Sequence, residues 1–227
     1  NLVGGVGIDA QGFAQFAVAP ASVLAPKPGS LTFAQASTLP QAGPIALQGT
    51  AGVGPGSRVA VNGAGGGSGS LAVQLAKAAG AHVTAVDNAG KLDFLRSLGA
   101  DAVVDHRVED VTRLGPFDLV LDLVAHRSVR DYRRALAPGG RYLAVGGSVS
   151  TMLSLLTAGT VLGRVSGRRL GVLAVKPGPD HFIPLEARCA SGEVRIHIDR
   201  EVSLDEVPEA LASVGDGRAL GKVVVTP

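Results

Sequence analysis

The chain has little cysteine, few aromatic residues and almost no excess charge. Its 227 residues include one cysteine, Cys189, two tyrosines and no tryptophan, and its formal net charge is +2. A single cysteine excludes an internal disulfide framework and a thiolate zinc cluster within the chain, and it suits a reducing compartment. We therefore expect a cytoplasmic protein. We also expect no nucleic-acid partner, because nucleic-acid binding needs a basic surface or stacking side chains.

The chain also lacks long apolar runs. Its longest apolar stretch, residues 149–162, is interrupted by Ser, Thr and Gly and is too short to cross a bilayer. No basic and then apolar leader opens the sequence, so we expect no membrane partner. The composition, 46% hydrophobic and 18% charged, is that of a globular chain able to bury a sizeable core.

The most informative feature that is present is a glycine-rich turn between a buried-strand pattern and a helix pattern. Residues 63–69 are Gly-Ala-Gly-Gly-Gly-Ser-Gly, which contains the spacing Ala64-x-Gly66-x-x-Gly69. Glycines let the main chain approach a ligand closely, and the following helix directs unpaired N–H groups at an anion. Asp87 ends the next apolar run, as in dinucleotide-binding folds. The alternative is a plain connecting turn, with Asp87 as the N-cap of the next helix.

The middle of the chain alternates short Val/Leu/Ala runs with helical patterns, which is typical of βαβ units and a parallel sheet. The predicted strands are residues 58–62, 82–87, 102–105, 118–122, 141–145 and 170–175. The predicted helices are near residues 68–79, 89–98, 128–136 and 151–162. This pattern predicts an α/β fold with a doubly wound, six-stranded parallel sheet.

The flanking segments have a different pattern. Residues 13–18 and 196–202 resemble antiparallel strands, and residues 204–214 resemble an amphipathic helix before a closing strand at 222–225. Residues 33–48 are predicted to form two helical segments broken at Pro40 and Pro44. The run Pro138-Gly139-Gly140 is predicted to stop the helix ahead of the fifth strand. The flanks therefore predict a second unit that is split in sequence.

Several sequence blocks point together to one family. They are Leu-Pro-Gln-Ala-Gly at 39–43, Ala-Leu-Gln-Gly at 46–49, Asn-Gly-Ala-Gly-Gly-Gly at 62–67, Ala-Val-Gln-Leu-Ala-Lys at 72–77, Leu-Arg-Ser-Leu-Gly-Ala-Asp at 95–101, Ala-Leu-Ala-Pro-Gly-Gly at 135–140 and Gly-Lys-Val-Val-Val at 221–225. Together they resemble the zinc-independent branch of the medium-chain dehydrogenase/reductase superfamily, the quinone-oxidoreductase or zeta-crystallin-like NAD(P)H-dependent reductases. The likeness covers nearly the whole chain.

The resemblance implies a Rossmann domain and a partial GroES-like, β-rich catalytic domain, with cofactor and substrate in the cleft between them. It implies a division into residues 1–44, 45–175 and 176–227, in which the first and last segments belong to the catalytic domain. Roughly the first third of a typical member has no counterpart in this sequence. The resemblance also implies a homodimer formed through the edge strand at residues 170–175.

The family's cofactor contacts can be carried over position by position. They fall at Gly66, Gly67 and Ser68 in the phosphate turn, Asp87 and Lys91 around the adenine ribose, His106 at the adenine end, and Leu123, Val124, Val145 and Gly146 at the nicotinamide half. The implied cofactor is NADP(H) or NAD(H), with a slight preference for NADP(H). A carboxylate at Asp87 favours an unmodified ribose, whereas Lys91 favours a 2′-phosphate.

The implied reaction is hydride transfer to a small-molecule quinone, enone or other activated acceptor without a metal ion. No cysteine lies near Gln41, where the zinc-using branch would offer one, and no catalytic residue is assigned. One alternative is a non-catalytic module or fragment that binds NAD(P). A second is a methyltransferase, although the chain lacks the acid that this class carries just before the glycines. A short-chain dehydrogenase is excluded, because neither tyrosine is followed by lysine at the Tyr-x-x-x-Lys spacing.

Overall fold

The computed structural model describes residues 2–4, 16 and 18–226, so the strand expected at residues 13–18 lies almost wholly outside the described residues. The strands are β1 (Leu2–Gly4), β2 (Leu24–Pro26), β3 (Arg58–Asn62), β4 (His82–Asp87), β5 (Ala102–Asp105), β6 (Phe117–Asp122), β7 (Leu136–Ala144), β8 (Arg169–Val172), β9 (Ile198–Val202) and β10 (Lys222–Val225). The helices are α1 (Phe33–Ser37), α2 (Leu39–Gly49), α3 (Gly67–Ala78), α4 (Leu92–Ser97), α5 (Val129–Ala135), α6 (Val149–Ser154), α7 (Thr160–Ser166), α8 (Ile183–Ala190) and α9 (Val207–Gly215).

The central sheet has six strands in the order β5-β4-β3-β6-β7-β8, and every pair in it is parallel. The chain order reverses between the adjacent strands β3 and β6, where the carboxyl ends of the strands open a crevice. The predicted Rossmann sheet is therefore confirmed. Strands β3, β4 and β5 have the bounds that the sequence predicts.

Both faces of the sheet are buried. On one face, side chains such as Val59 and Leu121 pack with residues of α2, α3 and α8. On the other face, Val120 and Tyr142 pack with residues of α5 and with Leu155 of the π-helical turn between α6 and α7. Because side chains alternate along each strand, this double cover explains the nearly continuous apolar runs.

Two small sheets flank the central one. Strands β1 and β2 pair antiparallel, whereas β9 and β10 pair parallel. The antiparallel arrangement expected for residues 196–202 is therefore wrong. An alternating pattern identifies a strand but does not give the direction of its partner.

Two glutamine side chains fasten the C-terminal segment to helices that pack on the sheet. The buried Gln74 of α3 donates to the Arg195 carbonyl at 3.0 Å and accepts from the Arg195 N–H at 2.7 Å. Gln48 of α2 makes the same pair of bonds with the backbone of Lys176, both at 2.9 Å. These bonds hold residues 176 and 195 against the Rossmann unit.

The proposed division at residues 44/45 and 175/176 stays a prediction.

The helix breaks differ from those expected. Helices α1 and α2 are separated at Thr38, not at Pro40 or Pro44. Pro40 lies in the first turn of α2, where a backbone N–H has no intrahelical partner to lose, and Pro44 is accommodated inside the helix.

Two other expectations about helices also need correction. The run Pro138-Gly139-Gly140 lies within β7 and does not stop α5, which ends at Ala135 because Leu136 is already extended. The single helix expected at residues 151–162 is instead α6 and α7 joined by a π-helical turn at Leu155–Gly159. Helix α8 was not expected.

Across the residues that the structure describes, no helix combines the length and apolarity that a bilayer crossing needs.

Candidate functional site

The glycine turn connects the end of β3 to the start of α3. Gly63 has a φ of +77°, a left-handed conformation that favours glycine, and Gly66 is the extended N-cap residue of α3. The first intrahelical bond runs from the Ser70 N–H to the Gly66 carbonyl at 2.9 Å. The amides of Gly67, Ser68 and Gly69 precede that bond and have no intrahelical acceptor. They are therefore available to an anion at the positive end of the helix dipole.

The turn is so tight that side chains are excluded at particular positions. A Cβ at Gly69 would overlap the Gly63 carbonyl oxygen and the Ala64 backbone. At Gly66, by contrast, the nearest atom to an added Cβ would be the Gly63 carbonyl oxygen at 3.5 Å, an ordinary contact. Gly69 is thus required by packing within the turn, whereas a side chain at Gly66 would make only an ordinary contact with the turn.

A cavity of about 760 Å³ runs along the carboxyl ends of the strands and begins at this turn. It is lined by nine of the ten residues predicted to bind the cofactor: Gly66, Gly67, Ser68, Asp87, Lys91, His106, Leu123, Val124 and Val145. Gly146 is exposed, has a φ of +82° and does not line the cavity. The volume lies within the range of about 300–1,000 Å³ that is usual for small-molecule sites.

Asp87 faces the glycine turn from the end of β4. Its side chain is 11% exposed, and its Oδ2 accepts a hydrogen bond from the Gly65 N–H at 2.8 Å. Its Oδ1 accepts from the Asn88 N–H at 2.9 Å. The N-cap of the following 3₁₀ turn is Asn88, whose side chain accepts from the Gly90 N–H. Asp87 is therefore part of the cavity wall and not the cap of the next helix.

Lys91 also lies in this wall and is paired with Asp87. Its Nζ is 3.7 Å from Asp87 Oδ1, and its side chain is only 7% exposed. Its aliphatic stem covers Gly65, where an added Cβ would overlap the Lys91 Cδ. The positive charge of Lys91 is therefore largely balanced by a neighbouring carboxylate.

Lys222 is a cavity residue that the sequence analysis did not assign. The Gly221 N–H donates to the Gly65 carbonyl at 2.8 Å, which brings the start of β10 beside the turn. The Lys222 stem then crosses Gly67, where an added Cβ would overlap it. Burial lowers the pKa of the Lys222 ammonium below its usual value. Among the described residues, no carboxylate forms an ion pair with it.

The other half of the cavity is mainly apolar. Leu123 and Val124 follow β6, Val145 follows β7, and Ile45 of α2 also lines the cavity. His126 is exposed at the cavity edge. In the described part of the chain, no three His, Cys, Asp or Glu side chains are arranged to hold a metal ion. The site therefore has a polar, anion-binding end and an apolar end.

We expect Gly69→Ala to lower the free energy of unfolding by about 2 kcal/mol or more, because the added methyl group overlaps backbone atoms. Gly66→Ala is the matched control and should cost less than about 1 kcal/mol, since it loses only some N-cap preference. Urea denaturation of both variants measures the difference. Equal losses of stability would contradict the packing described for the turn.

Comparisons with known proteins place this site in a family. Residues 98–225 match the family model described as "Zinc-binding dehydrogenase". The chain is 31% identical over 229 residues to the chloroplast envelope quinone oxidoreductase homolog of Arabidopsis thaliana, covering 95% of this chain and 69% of that protein. It is 34% identical over 221 residues to the 2-methylene-furan-3-one reductase of Solanum lycopersicum, covering 94% of this chain and 52% of that protein.

The solved structures give the same result. The quinone oxidoreductase of Coxiella burnetii superposes with a TM-score of 0.82 at 28% identity, covering 92% of this chain and 65% of that one. The chain thus spans between about half and two thirds of the length of these relatives. The chain therefore belongs to the zinc-binding dehydrogenase family, as a quinone-oxidoreductase-like member of the medium-chain dehydrogenase/reductase superfamily.

Proposed function

We propose that the cavity binds a nicotinamide dinucleotide and that the chain transfers its hydride to a small quinone, enone or similarly activated acceptor. The observation that carries this proposal is the convergence of two features at the first turn of α3: the unbonded N–H groups of Gly67, Ser68 and Gly69, and the side chain of Lys222, which has no ion-pair partner among the described residues. Amides at a helix N-terminus together with a lysine are a suitable site for a pyrophosphate.

The two halves of the cavity fit the two halves of such a dinucleotide. Asp87, Lys91 and His106 follow β4 and β5 and would face the adenosine half, whereas Leu123, Val124 and Val145 follow β6 and β7 and would face the nicotinamide. When bound, the dinucleotide supplies a hydride equivalent, and the acceptor gains that hydride and one proton. The residues of this chain would bind and orient the ring and keep water from its apolar face.

The relatives favour a reductase over the two alternatives. They include proteins named as a quinone oxidoreductase, a 2-methylene-furan-3-one reductase and a trans-enoyl reductase. These names give no support to a methyltransferase or to a module that only holds the cofactor. All of these reactions reduce an electron-poor carbonyl compound or alkene, which is the acceptor class that we propose.

For the choice between the two cofactors, we propose NAD(H), although the sequence resemblance gave a slight preference for NADP(H). A 2′-phosphate at the ribose would need a free cation, but Lys91 is already paired with Asp87 at 3.7 Å. The same phosphate would meet the negative charge of Asp87, which lines the cavity. The 2′-hydroxyl of NAD(H) could instead donate a hydrogen bond to that carboxylate.

The test of the activity and of the cofactor choice is one experiment. We expect NADH to bind more tightly than NADPH, and the reduced-cofactor absorbance to fall when a quinone or enone is added. Asp87→Asn removes the charge but keeps an oxygen for the Gly65 N–H, so the preference for NADH should fall at least about tenfold.

The matched control for that experiment is Asp93→Asn, because Asp93 is a fully exposed acid on α4, close in sequence to Lys91. An unchanged ratio of NADH to NADPH affinity in Asp87→Asn would show that Asp87 does not determine the cofactor preference. If NADH bound but was not oxidised by any quinone or enone tested, the result would favour the alternative of a non-catalytic module that only binds the cofactor.

The lowered pKa of Lys222 predicts a pH dependence of dinucleotide binding. A bound phosphate stabilises the protonated ammonium, so the pKa of Lys222 is higher in the complex than in the free protein, and binding takes up protons between the two values. The affinity for ADP-ribose should therefore fall as the pH rises through that window. Lys222→Met should remove this dependence and weaken binding about tenfold at neutral pH.

Lys77→Met is the control for the pH experiment. Lys77 lies at the far end of α3 and is paired with Asp101 at 2.7 Å, so its loss should leave binding unchanged. Calorimetric titrations at several pH values measure the affinity for ADP-ribose of the wild type and of both variants. An Lys222→Met variant with wild-type affinity would show that the ammonium does not contact the phosphates.

We also propose a homodimer formed through β8. This strand is the last in the order of the central sheet, next to β7. Because the Leu173 N–H donates to Ala144 on β7, the alternating pattern directs the Val172 N–H toward the open edge. We expect light scattering to give twice the chain mass of 22.8 kDa for the wild type and the single-chain mass for Val172→Pro. A monomeric wild type would overturn this proposal.

A cytoplasmic location is proposed on composition alone, because one cysteine in 227 residues suits a reducing compartment. Fractionation of cells that produce this chain tests it. Recovery of the chain in an organelle fraction would overturn it.

A further inference from the structure

A buried carboxylate lies beneath the apolar half of the cavity. Asp122 is the last residue of β6 and is 0% exposed. Its Oδ1 accepts three hydrogen bonds, from Asn62 Nδ2 at 2.8 Å, the Val124 N–H at 3.1 Å and the Ala125 N–H at 2.8 Å. Its Oδ2 accepts from the Tyr142 hydroxyl at 2.9 Å. Asp122 thus joins β3, β7 and the segment that follows its own strand.

In the part of the chain that the structure describes, the hydrogen-bond donors to this carboxylate are all neutral groups. Among the described residues, no lysine, arginine or histidine forms an ion pair with Asp122. Tyr142 stacks on Tyr132 with ring centroids 4.3 Å apart, and both rings are buried. Burial, and then the charge of Asp122, raises the pKa of both hydroxyls, so both stay protonated. Tyr142 therefore remains a hydrogen-bond donor to the carboxylate.

The segment that Asp122 holds has an unusual backbone. Ala125 has a φ of +54°, and within the described residues it is the only residue other than glycine with a positive φ. This left-handed conformation is costly for a residue with a Cβ and persists only where the surroundings impose it. Since Oδ1 of Asp122 accepts from both the Val124 and the Ala125 N–H groups, it directly stabilises this turn.

The same segment forms the wall of the cavity at its apolar end. Leu123 and Val124 line the cavity, and the Leu123 N–H donates to the Asn62 carbonyl at 3.0 Å. Val124 also packs against Gly63, where an added Cβ would lie 2.9 Å from Val124 Cγ2. The position of this wall therefore depends on the conformation of residues 123–125.

We propose that Asp122 is a positioning residue, which holds Leu123–Val124–Ala125 in the left-handed turn that shapes the nicotinamide half of the cavity. This proposal rests on the proposed function, because that function assigns the apolar half of the cavity to the nicotinamide. It concerns a side chain that does not line the cavity and that acts through the backbone of its neighbours.

The test compares NADH with ADP-ribose, which has the adenosine and pyrophosphate but no nicotinamide. Asp122→Asn removes the charge and weakens the bonds to Val124 and Ala125. We expect NADH to bind about fivefold more weakly and to show reduced nicotinamide fluorescence, while ADP-ribose affinity changes less than about twofold. Asp118→Asn is the control, because Asp118 lies at the other end of β6 and accepts from the Arg58 N–H.

A rescue experiment separates positioning from general damage. Glycine adopts a positive φ without a steric cost, so Ala125→Gly should make the segment less dependent on Asp122. The double variant Asp122→Asn/Ala125→Gly should bind NADH within about twofold of the wild type, a non-additive result. Equal weakening of NADH and ADP-ribose in Asp122→Asn, or an additive double variant, would overturn the proposal.

A measurement on the ligand-free protein keeps this test separate from that of the proposed function. Amide hydrogen exchange at Val124 and Ala125 should be faster in Asp122→Asn than in Asp118→Asn, because the acceptor of both N–H groups is weakened. Unchanged exchange would show that Asp122 does not hold the segment. If the wild type bound neither nucleotide, the proposed function and the role of the segment in it would both fail. The exchange result would still show whether Asp122 holds the backbone of residues 123–125.

Discussion

The constraint on which the site depends is the set of unbonded amides at the first turn of α3. The residues that carry those amides line the cavity because the chain turns sharply between β3 and α3. The turn closes only because Gly69 carries no side chain beside the Gly63 carbonyl. A side chain there would push the helix away from the sheet and rotate its dipole off the cavity. Asp87, on β4, then fixes the turn from the neighbouring strand through the Gly65 N–H.

The C-terminal segment completes the polar end of the cavity. The Gly221 N–H donates to the Gly65 carbonyl, and this contact places the side chain of Lys222 over the first turn of α3. The buried Gln74, from the same helix, holds the backbone of Arg195 upstream of that contact. Helix α3 therefore presents the amides and also anchors, at Arg195, the segment that leads into β9, the strand that pairs with β10. Asp122 organises the apolar end through backbone hydrogen bonds.

Much of the fold follows from local sequence, and the misses have physical reasons. Strands β3, β4 and β5 were predicted to the residue, because buried parallel strands are short apolar runs bounded by polar or turn residues. The prediction that β9 pairs in an antiparallel arrangement was wrong, because periodicity identifies a strand but not the direction of its partner. Lys222 was missed because its role comes from a contact with Gly67, far away in sequence. Asp122 was predicted as a strand end, but two of its four donors, Asn62 and Tyr142, lie on strands that only the fold brings beside it.

The central claim is that the amides of Gly67, Ser68 and Gly69 bind the phosphates of a dinucleotide. A ¹⁵N-labelled chain titrated with ADP-ribose tests it directly, because an amide that donates to a phosphate moves strongly in the NMR spectrum. The account predicts that these three resonances move the most and saturate together with the affinity measured by calorimetry. Saturable binding that leaves all three unmoved, or no binding at millimolar ADP-ribose, would contradict it.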